Sequence, residues 1–251
     1  QHEVMPRISL EVGYSRRWLQ NFTVTDNLLQ AASDYTPFSV TAPLDPRLPD
    51  GGGYVISGLY NATQAVASLT DNYRTYAPDY GKQYAIYNGM DVNVNARMRS
   101  GLTLQGGISS GTQSNDDCEV RAKLPETSPT NPYCHNAPGL NTRGTLAGSY
   151  TVPRVDVLLS GTFQSSQGSV LSANYAVPAA VAAQSLVRPL ANNATSVTVD
   201  LIEPGQRWGE RVNQLDFRVG KILRFRNQRA TVSLDLYNAL NEDTILSYNQ
   251  T

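Results

Sequence analysis

The sequence predicts an all-β chain that forms part of an antiparallel transmembrane β-barrel. Two observations carry this prediction: strict apolar–polar alternation in seven segments, and a regular exchange of short turns with long connections between them. The chain has 251 residues, a net charge of −1 and 16% charged residues, whereas soluble domains carry about 25%. No apolar run reaches the roughly 18 residues of a membrane helix. With no Lys/Arg cluster, nucleic acid is not an expected partner.

The alternation is clearest near the end of the chain. Leu215, Phe217 and Val219 share one face of a predicted strand, and Asp216 and Arg218 share the other. A helix would scatter these apolar residues around its circumference, so we assign strands. Six further segments alternate in the same way: 8–15, 90–98, 102–109, 145–152, 155–164 and 230–237.

The connections between these strands alternate short and long. Short turns are predicted at three places: 98–101, 152–154 and 225–229. Long connections run from about 19 to 83, from about 112 to 142 and from about 166 to 209, and soluble domains rarely keep such long structureless segments. Outer-membrane barrels have tight periplasmic turns and long extracellular loops. The stretch 176–190 is the one helical candidate.

In such a barrel one side of each strand faces lipid and the other faces a polar lumen. The predicted lumen-facing residues are therefore the charged members of the polar faces: Asp91, Arg97, Asp156, Asp216, Arg218 and Asp235. Aromatic residues near strand ends suit the girdles at the two membrane interfaces, although a soluble β core would also use them. They are Tyr14, Trp18, Tyr84, Tyr87, Tyr150, Phe225 and Tyr237.

The two cysteines, Cys118 and Cys134, lie in one polar, proline-rich stretch. A pair this close within a loop indicates a loop-closing disulfide and an oxidising compartment. The alternative is a metal pair with His135, but two cysteines and one adjacent histidine lack a usual zinc spacing.

Two longer stretches carry a resemblance to a known family. GKQYAIYNGMDVNVNARMRSGLTLQGGISSG (81–111) and GERVNQLDFRVGKILRF (209–225), followed by DLYNALN, resemble the C-terminal barrel of TonB-dependent-receptor-like outer-membrane proteins. The similar branch is the one whose members often carry an N-terminal carboxypeptidase-regulatory-like domain and an Oar-like barrel. Residues 1–251 would then be the C-terminal segment of the barrel, without its plug and N-terminal domains. The start at VMPR, inside a hairpin, suits that interpretation.

The resemblance implies a receptor in the bacterial outer membrane with a barrel of about 22 strands. Its plug would rearrange under the action of TonB and admit a ligand. The implied partners are the lipid bilayer with lipopolysaccharide, the TonB complex through the absent N-terminal region, and a small ligand such as a siderophore, an oligosaccharide or a peptide.

No catalytic constellation stands out, so no enzyme is expected. The chain has two histidines, His2 and His135, and a Ser-His-Asp arrangement would depend on one of them. No cofactor or metal is expected. Calcium is a weaker alternative for the loop aspartates, which lack EF-hand spacing; they are Asp45, Asp50, Asp71, Asp79, Asp116 and Asp117.

Two other functions remain open from the sequence. The same barrel could anchor a structural or adhesive surface protein, and a soluble carbohydrate-binding β-sandwich would share the charge-poor, aromatic-rich composition. The loop asymmetry favours ligand transport through a plugged barrel over the sandwich.

Overall fold

The structure, a computed structural model, describes residues 2–226 and 228–250. Its strands are β1 (His2–Met5), β2 (Ile8–Leu19), β3 (Thr23–Asn27), β4 (Tyr35–Thr41), β5 (Val55–Ala62), β6 (Asn72–Tyr76), β7 (Tyr84–Arg97), β8 (Leu102–Asp116), β9 (His135–Asn136), β10 (Asn141–Val152), β11 (Val157–Ser166), β12 (Asn174–Pro178), β13 (Ser196–Asp200), β14 (Val212–Phe225) and β15 (Gln228–Leu236). The α-helices are α1 (Cys118–Lys123) and α2 (Ala179–Leu186). Short 3-10 turns occur at Ala32–Asp34, Pro49–Gly51, Ala77–Asp79, Pro125–Thr127 and Ala191–Asn193.

One large antiparallel sheet organises the chain. Its strands lie in the order β1-β2-β7-β8-β10-β11-β14-β15, and the short β9 pairs with β8. The all-β prediction is therefore confirmed. Among the described residues β1 and β15 are the two edges of an open sheet, and no closed barrel is formed. No helix in the described part of the chain has the length and apolar character needed to span a bilayer.

The short turns lie at one end of this sheet and the long connections at the other. β7 and β8 are joined through 98–101, as predicted. The next turn occupies 153–156 instead of 152–154, because the pairing of β10 with β11 ends at Val152 and Val157. The last pair closes at Phe225 and Gln228, and Asn227 of the predicted turn lies outside the described residues.

All seven predicted strands are present, but several are longer than predicted. Residues 90–97 of the segment 90–98 belong to β7, which already begins at Tyr84, and 102–109 belongs to β8, which runs on to Asp116. The alternation fades in these extensions while the backbone pairing of Tyr84 with Asp116 continues. The strand expected to be missing before VMPR is represented by the four residues of β1, which pair with β2.

The long connections are not structureless, contrary to the prediction. They cover 20–83, 117–140 and 167–211, and together we call them the cap. It contains three two-stranded antiparallel sheets, which pair β3 with β6, β4 with β5, and β12 with β13. The predicted helical stretch contains α2, which packs against β4. The connections fold because each contributes apolar side chains that no single connection could bury alone.

The cap contains most of the buried core. Its larger cluster joins the first and third connections: Phe38, Val40, Ala42, Leu48, Ile56, Leu59, Val177, Ala182, Leu186, Leu190, Val199, Leu201 and Ile202. A smaller cluster joins the first and second connections through Ala77, Val120 and Leu124. The segment after β15 lies against the cap, where the Glu210 N–H donates to the Tyr248 hydroxyl at 3.0 Å.

Candidate functional site

The large sheet has one apolar face, because its alternating strands pair in phase. Residues directly opposite each other in an antiparallel pair project to the same side. One row crosses six strands through Leu10, Val94, Gly106, Leu146, Phe163 and Leu215. Another crosses five strands through Leu102, Tyr150, Leu159, Val219 and Leu234. The apolar face is therefore continuous from β2 to β15.

This apolar face is exposed. Leu234 is 75% accessible, Val232 64% and Val12 59%, and the clusters of buried residues lie in the cap. Continuous apolar patches of this kind mark a protein or membrane interface, since scattered single residues would not align in rows.

The apolar face changes character towards the cap. Its rows end at Tyr14, whose hydroxyl donates to Asn88 Oδ1 at 2.9 Å, and the next row pairs Arg16 with Asn88. An aromatic ring with a hydrogen-bonded polar tip suits such a border. Tyr87 departs from the predicted girdle: it belongs to the opposite face, and its ring lies so close to Gly89 and Gly111 that a Cβ at either would clash with it.

The opposite face is polar, and it brings several predicted lumen-facing residues together. One row runs through Arg97, Thr103, Ser149, Ser160, Arg218 and Asp235. Arg218 and Asp235 form an ion pair within it. Asp216 lies in the neighbouring row opposite Thr162, and Asp91 lies farther along opposite Ser109. An open groove of about 1070 Å³ follows these rows beside the short turns.

Asp156 does not lie on a strand, which corrects the sequence-based assignment. It occupies the turn before β11 with a positive φ of 47°, and its carboxylate pairs with Arg224 at 2.9 Å. Asp156 fitted the alternation of the predicted strand 155–164, but the turn occupies 153–156, so β11 begins two residues later than predicted, at Val157.

The second connection of the cap is closed by a disulfide between Cys118 and Cys134, whose Cα atoms are 4.8 Å apart. Because the sulfurs are joined, they do not form the alternative metal pair with His135. The His135 ring instead lies 2.9 Å from Asp116. Burial would raise the pKa of Asp116, but the Cys118 N–H and the His135 ring hold it below its ordinary value.

Arg188 joins the first and third connections of the cap, and the sequence analysis did not single it out. Its guanidinium donates to Asn61 Oδ1 at 2.9 Å, to the Asn61 carbonyl at 2.7 Å, to the Ala62 carbonyl at 3.0 Å and to Thr36 Oγ1 at 3.1 Å. A single cation inside the apolar stretch 176–190 was the signal that could have identified it.

Glu126 is a buried carboxylate between the first and second connections. Both of its carboxylate oxygens are buried and accept no well-aligned hydrogen bond. Burial raises the pKa of Glu126, and nearby backbone amides offset only part of that rise. The folded chain therefore keeps this proton at a pH where the unfolded chain has lost it.

We expect Glu126→Gln to stabilise the chain at neutral and higher pH. The stability that comes with the proton is complete below the ordinary carboxyl pKa and is lost as pH rises through the raised value. Thermal unfolding at about pH 8 should show a midpoint roughly 2–4 °C higher, corresponding to about 1 kcal/mol. The gain should shrink at about pH 4. The exposed Glu242→Gln is the control, and an equal gain at both pH values would contradict the prediction.

Two cavities meet at Tyr133, in the second connection. The larger, about 350 Å³, is formed by all three connections and includes Tyr54 and Glu203. The smaller, about 230 Å³, lies between the cap and the start of β7 and includes Gln83 and Asn136. The sequence analysis did not select Tyr133, although its position between Pro132 and Cys134 was a signal of a fixed loop residue.

No metal site emerges from the described residues, which contain no group of three or more His, Cys, Asp or Glu side chains suited to an ion. Comparison with known proteins gives no family model, no curated protein and no solved structure that matches the chain. Any functional conclusion therefore depends on the two faces of the sheet and on the cap.

Proposed function

We propose that the chain is the C-terminal part of an outer-membrane barrel of the TonB-dependent receptor type, which takes up a ligand through a plugged lumen. The observation that carries the proposal is the exposed apolar face of the large sheet, opposite a continuous polar face. The apolar face would contact lipid, and the polar face would line the lumen.

The strand lengths support this proposal. A strand tilted at about 45° crosses the hydrocarbon core with about 9–11 residues. The seven long strands of the sheet have between 9 and 15 residues. The apolar rows also give way to polar residues on the cap side, at Arg16 and Asn88, which suits a membrane border there.

The cap would capture the ligand outside the membrane. Its own hydrophobic core and its disulfide order the three connections before a ligand arrives, which lowers the entropy cost of binding. The charged and hydroxyl groups of the polar face would then set which ligands pass. This division of roles explains why the chain places its core in the cap and leaves an apolar surface on the sheet.

The soluble sandwich has less support. A sandwich needs a second sheet packed on the apolar face at about 10 Å, and the described residues contain no such sheet, since the other sheets have two strands each and belong to the cap. An adhesive protein anchored by the same barrel shares the membrane contact and differs in whether a ligand is taken up.

Tryptophan fluorescence provides a test of the membrane contact. Leu234 is 75% exposed on the apolar face, and Ser233 beside it lies on the polar face. The chain would be reconstituted into vesicles that contain lipids brominated on the acyl chains, as Leu234→Trp and as Ser233→Trp, in a background in which Trp18 and Trp208 are replaced by phenylalanine. We expect strong quenching of the fluorescence of Leu234→Trp and little quenching of that of Ser233→Trp. Absence of quenching in Leu234→Trp would refute the membrane contact.

Uptake and adhesion would be separated in cells that produce the intact receptor. Accumulation of a labelled ligand that stops when the proton-motive force is dissipated supports TonB-driven transport. Surface binding that persists without accumulation supports the adhesive alternative.

A further inference from the structure

Tyr133 lies where the three long connections of the cap converge. Tyr133 lines two cavities, of about 350 Å³ and about 230 Å³. Tyr133 directly precedes Cys134 of the disulfide, and the Asn131 side chain accepts a hydrogen bond from the Tyr133 N–H at 3.0 Å. The backbone at Tyr133 is thus fixed by the adjacent disulfide and by this hydrogen bond, as a binding residue requires.

The smaller cavity contains side-chain oxygens that accept no hydrogen bond. Gln83 Oε1 and Asn136 Oδ1 are buried and have no hydrogen-bond partner in the structure, and both residues line this cavity. Buried polar atoms are nearly always paired in folded proteins, so each such exception calls for an explanation. A ligand that brings N–H or O–H groups would satisfy both oxygens.

The larger cavity is negatively charged. Asp50 and Glu203 line it, and neither takes part in an ion pair among the described residues. Asp50 is held in a left-handed conformation with φ 52°, which costs free energy for a residue other than glycine and is typical of functional loops.

The charges that act on the Tyr133 ring are those of carboxylates. Burial raises the pKa of Tyr133, and the carboxylates of Asp200 and Glu203 raise it further. Arg121 is paired with Asp117 at 2.7 Å. Arg207, which donates to the Leu48 carbonyl at 3.1 Å, keeps its charge and opposes the carboxylates at Tyr54. The negative potential therefore lies on the Tyr133 side of the larger cavity.

We propose that this cap site binds a cationic, donor-rich group, an amine or a guanidinium, carried by a short basic peptide or a polyamine. The faces of Tyr54 and Tyr133 would attract the cation through their quadrupoles. Glu203 and Asp50 would supply the opposite charge, and Gln83 and Asn136 would accept the remaining hydrogens. This assignment rests on the proposed function in one respect, since it names the ligand class that the cap would capture for uptake.

The test is calorimetric titration of the full chain in detergent micelles with three probes: tri-arginine, spermidine and maltotriose. We expect tri-arginine or spermidine to bind and maltotriose not to bind. A preference for tri-arginine would identify a peptide ligand, and a preference for spermidine a polyamine; either supports the cationic site. Glu203→Gln and Tyr133→Leu should each weaken the binding by about tenfold, because each removes one attraction to the cation.

Asp243→Asn, which removes the same charge outside both cavities, is the matched control and should leave the affinity unchanged. Tyr133→Phe keeps the ring and should retain most of the affinity, so a folding defect of the leucine variant would not decide the result. Binding of maltotriose alone, binding of none of the probes, or an affinity that Glu203→Gln does not change would overturn the proposal. Quenching of the Leu234→Trp variant in brominated vesicles reports membrane contact in a separate measurement, so failure of the cationic site can be distinguished from failure of the proposed function.

Discussion

Replacing Leu234 by arginine should destabilise the membrane-inserted chain by about 2–4 kcal/mol, the cost of a cation near the bilayer midplane on the lipid face of a barrel. Leu234 is 75% exposed, and it is paired with Val219 near the middle of β14. In water such an exposed position would tolerate arginine within about 0.5 kcal/mol. The large effect is therefore expected only if this face contacts lipid, and it would be measured by denaturant unfolding in vesicles.

The adjacent residue supplies the matched control. Ser233 lies on the same strand with its side chain on the polar face, and pairs with Gly220. Ser233→Arg places the same cation at nearly the same depth, but on the face that we assign to the lumen. It should cost much less than Leu234→Arg. Equal costs for the two variants would contradict the assignment of the faces.

The long strands of the sheet could be predicted because their signal is local. Alternation with period two depends on each strand alone, so the apolar set around Leu215 and Phe217 identifies its strand without knowledge of the partner. The in-phase pairing of Leu215 with Phe163 then follows, since a register slip of one residue would place every side chain on the wrong face. The turn lengths were predicted less well, since the turn that contains Asp156 occupies 153–156 and not 152–154.

The cap could not be predicted from such local patterns. Its contacts join residues far apart in sequence: the Tyr54 hydroxyl donates to the Leu201 carbonyl at 2.7 Å, and the Ser39 N–H donates to Ser185 Oγ at 3.0 Å. Neither the first nor the third connection has a periodic hydrophobic pattern from which its packing partner could be predicted. Composition rich in Pro, Gly and Tyr indicated loops, and it concealed a hydrophobic core that forms only when the first and third connections meet.

The candidate site was predicted in part for the same reason. Cys118 and Cys134 could be paired because two cysteines in one loop have few other roles in an oxidising compartment. The cavities beside Tyr133 required all three connections, and the orphaned oxygens of Gln83 and Asn136 appear only once the chain is folded. A site that forms only when distant segments meet leaves no pattern in any one segment from which it could be predicted.

Replacing Arg188 by alanine should destabilise the cap by about 3 kcal/mol. The guanidinium satisfies acceptors of Thr36, Asn61 and Ala62 in the hairpin of β4 and β5. Removing it leaves several part-buried acceptors unpaired, and each such loss costs about 1–3 kcal/mol when water cannot replace the donor. The cap hairpin and α2 would then separate more readily, and hydrogen exchange of the amides of β4 and β5 would report this opening.

The shape of the guanidinium accounts for this effect. Arg188→Lys separates shape from charge, and Arg47→Ala is the control for loss of an exposed arginine. Arg188→Lys keeps the charge, but an ammonium cannot donate to several acceptors at once as the planar guanidinium does. It should therefore be more stable than Arg188→Ala but less stable than the wild-type chain. Arg47→Ala removes an arginine whose side chain is 89% exposed and whose partner is Asp45, and exposed pairs contribute about 0–1 kcal/mol. If Arg188→Ala changed the hydrogen exchange of β4 and β5 no more than Arg47→Ala does, the hydrogen bonds of Arg188 would not hold the first and third connections together. The apolar cluster around Leu59 and Leu190 would then be what stabilises the cap.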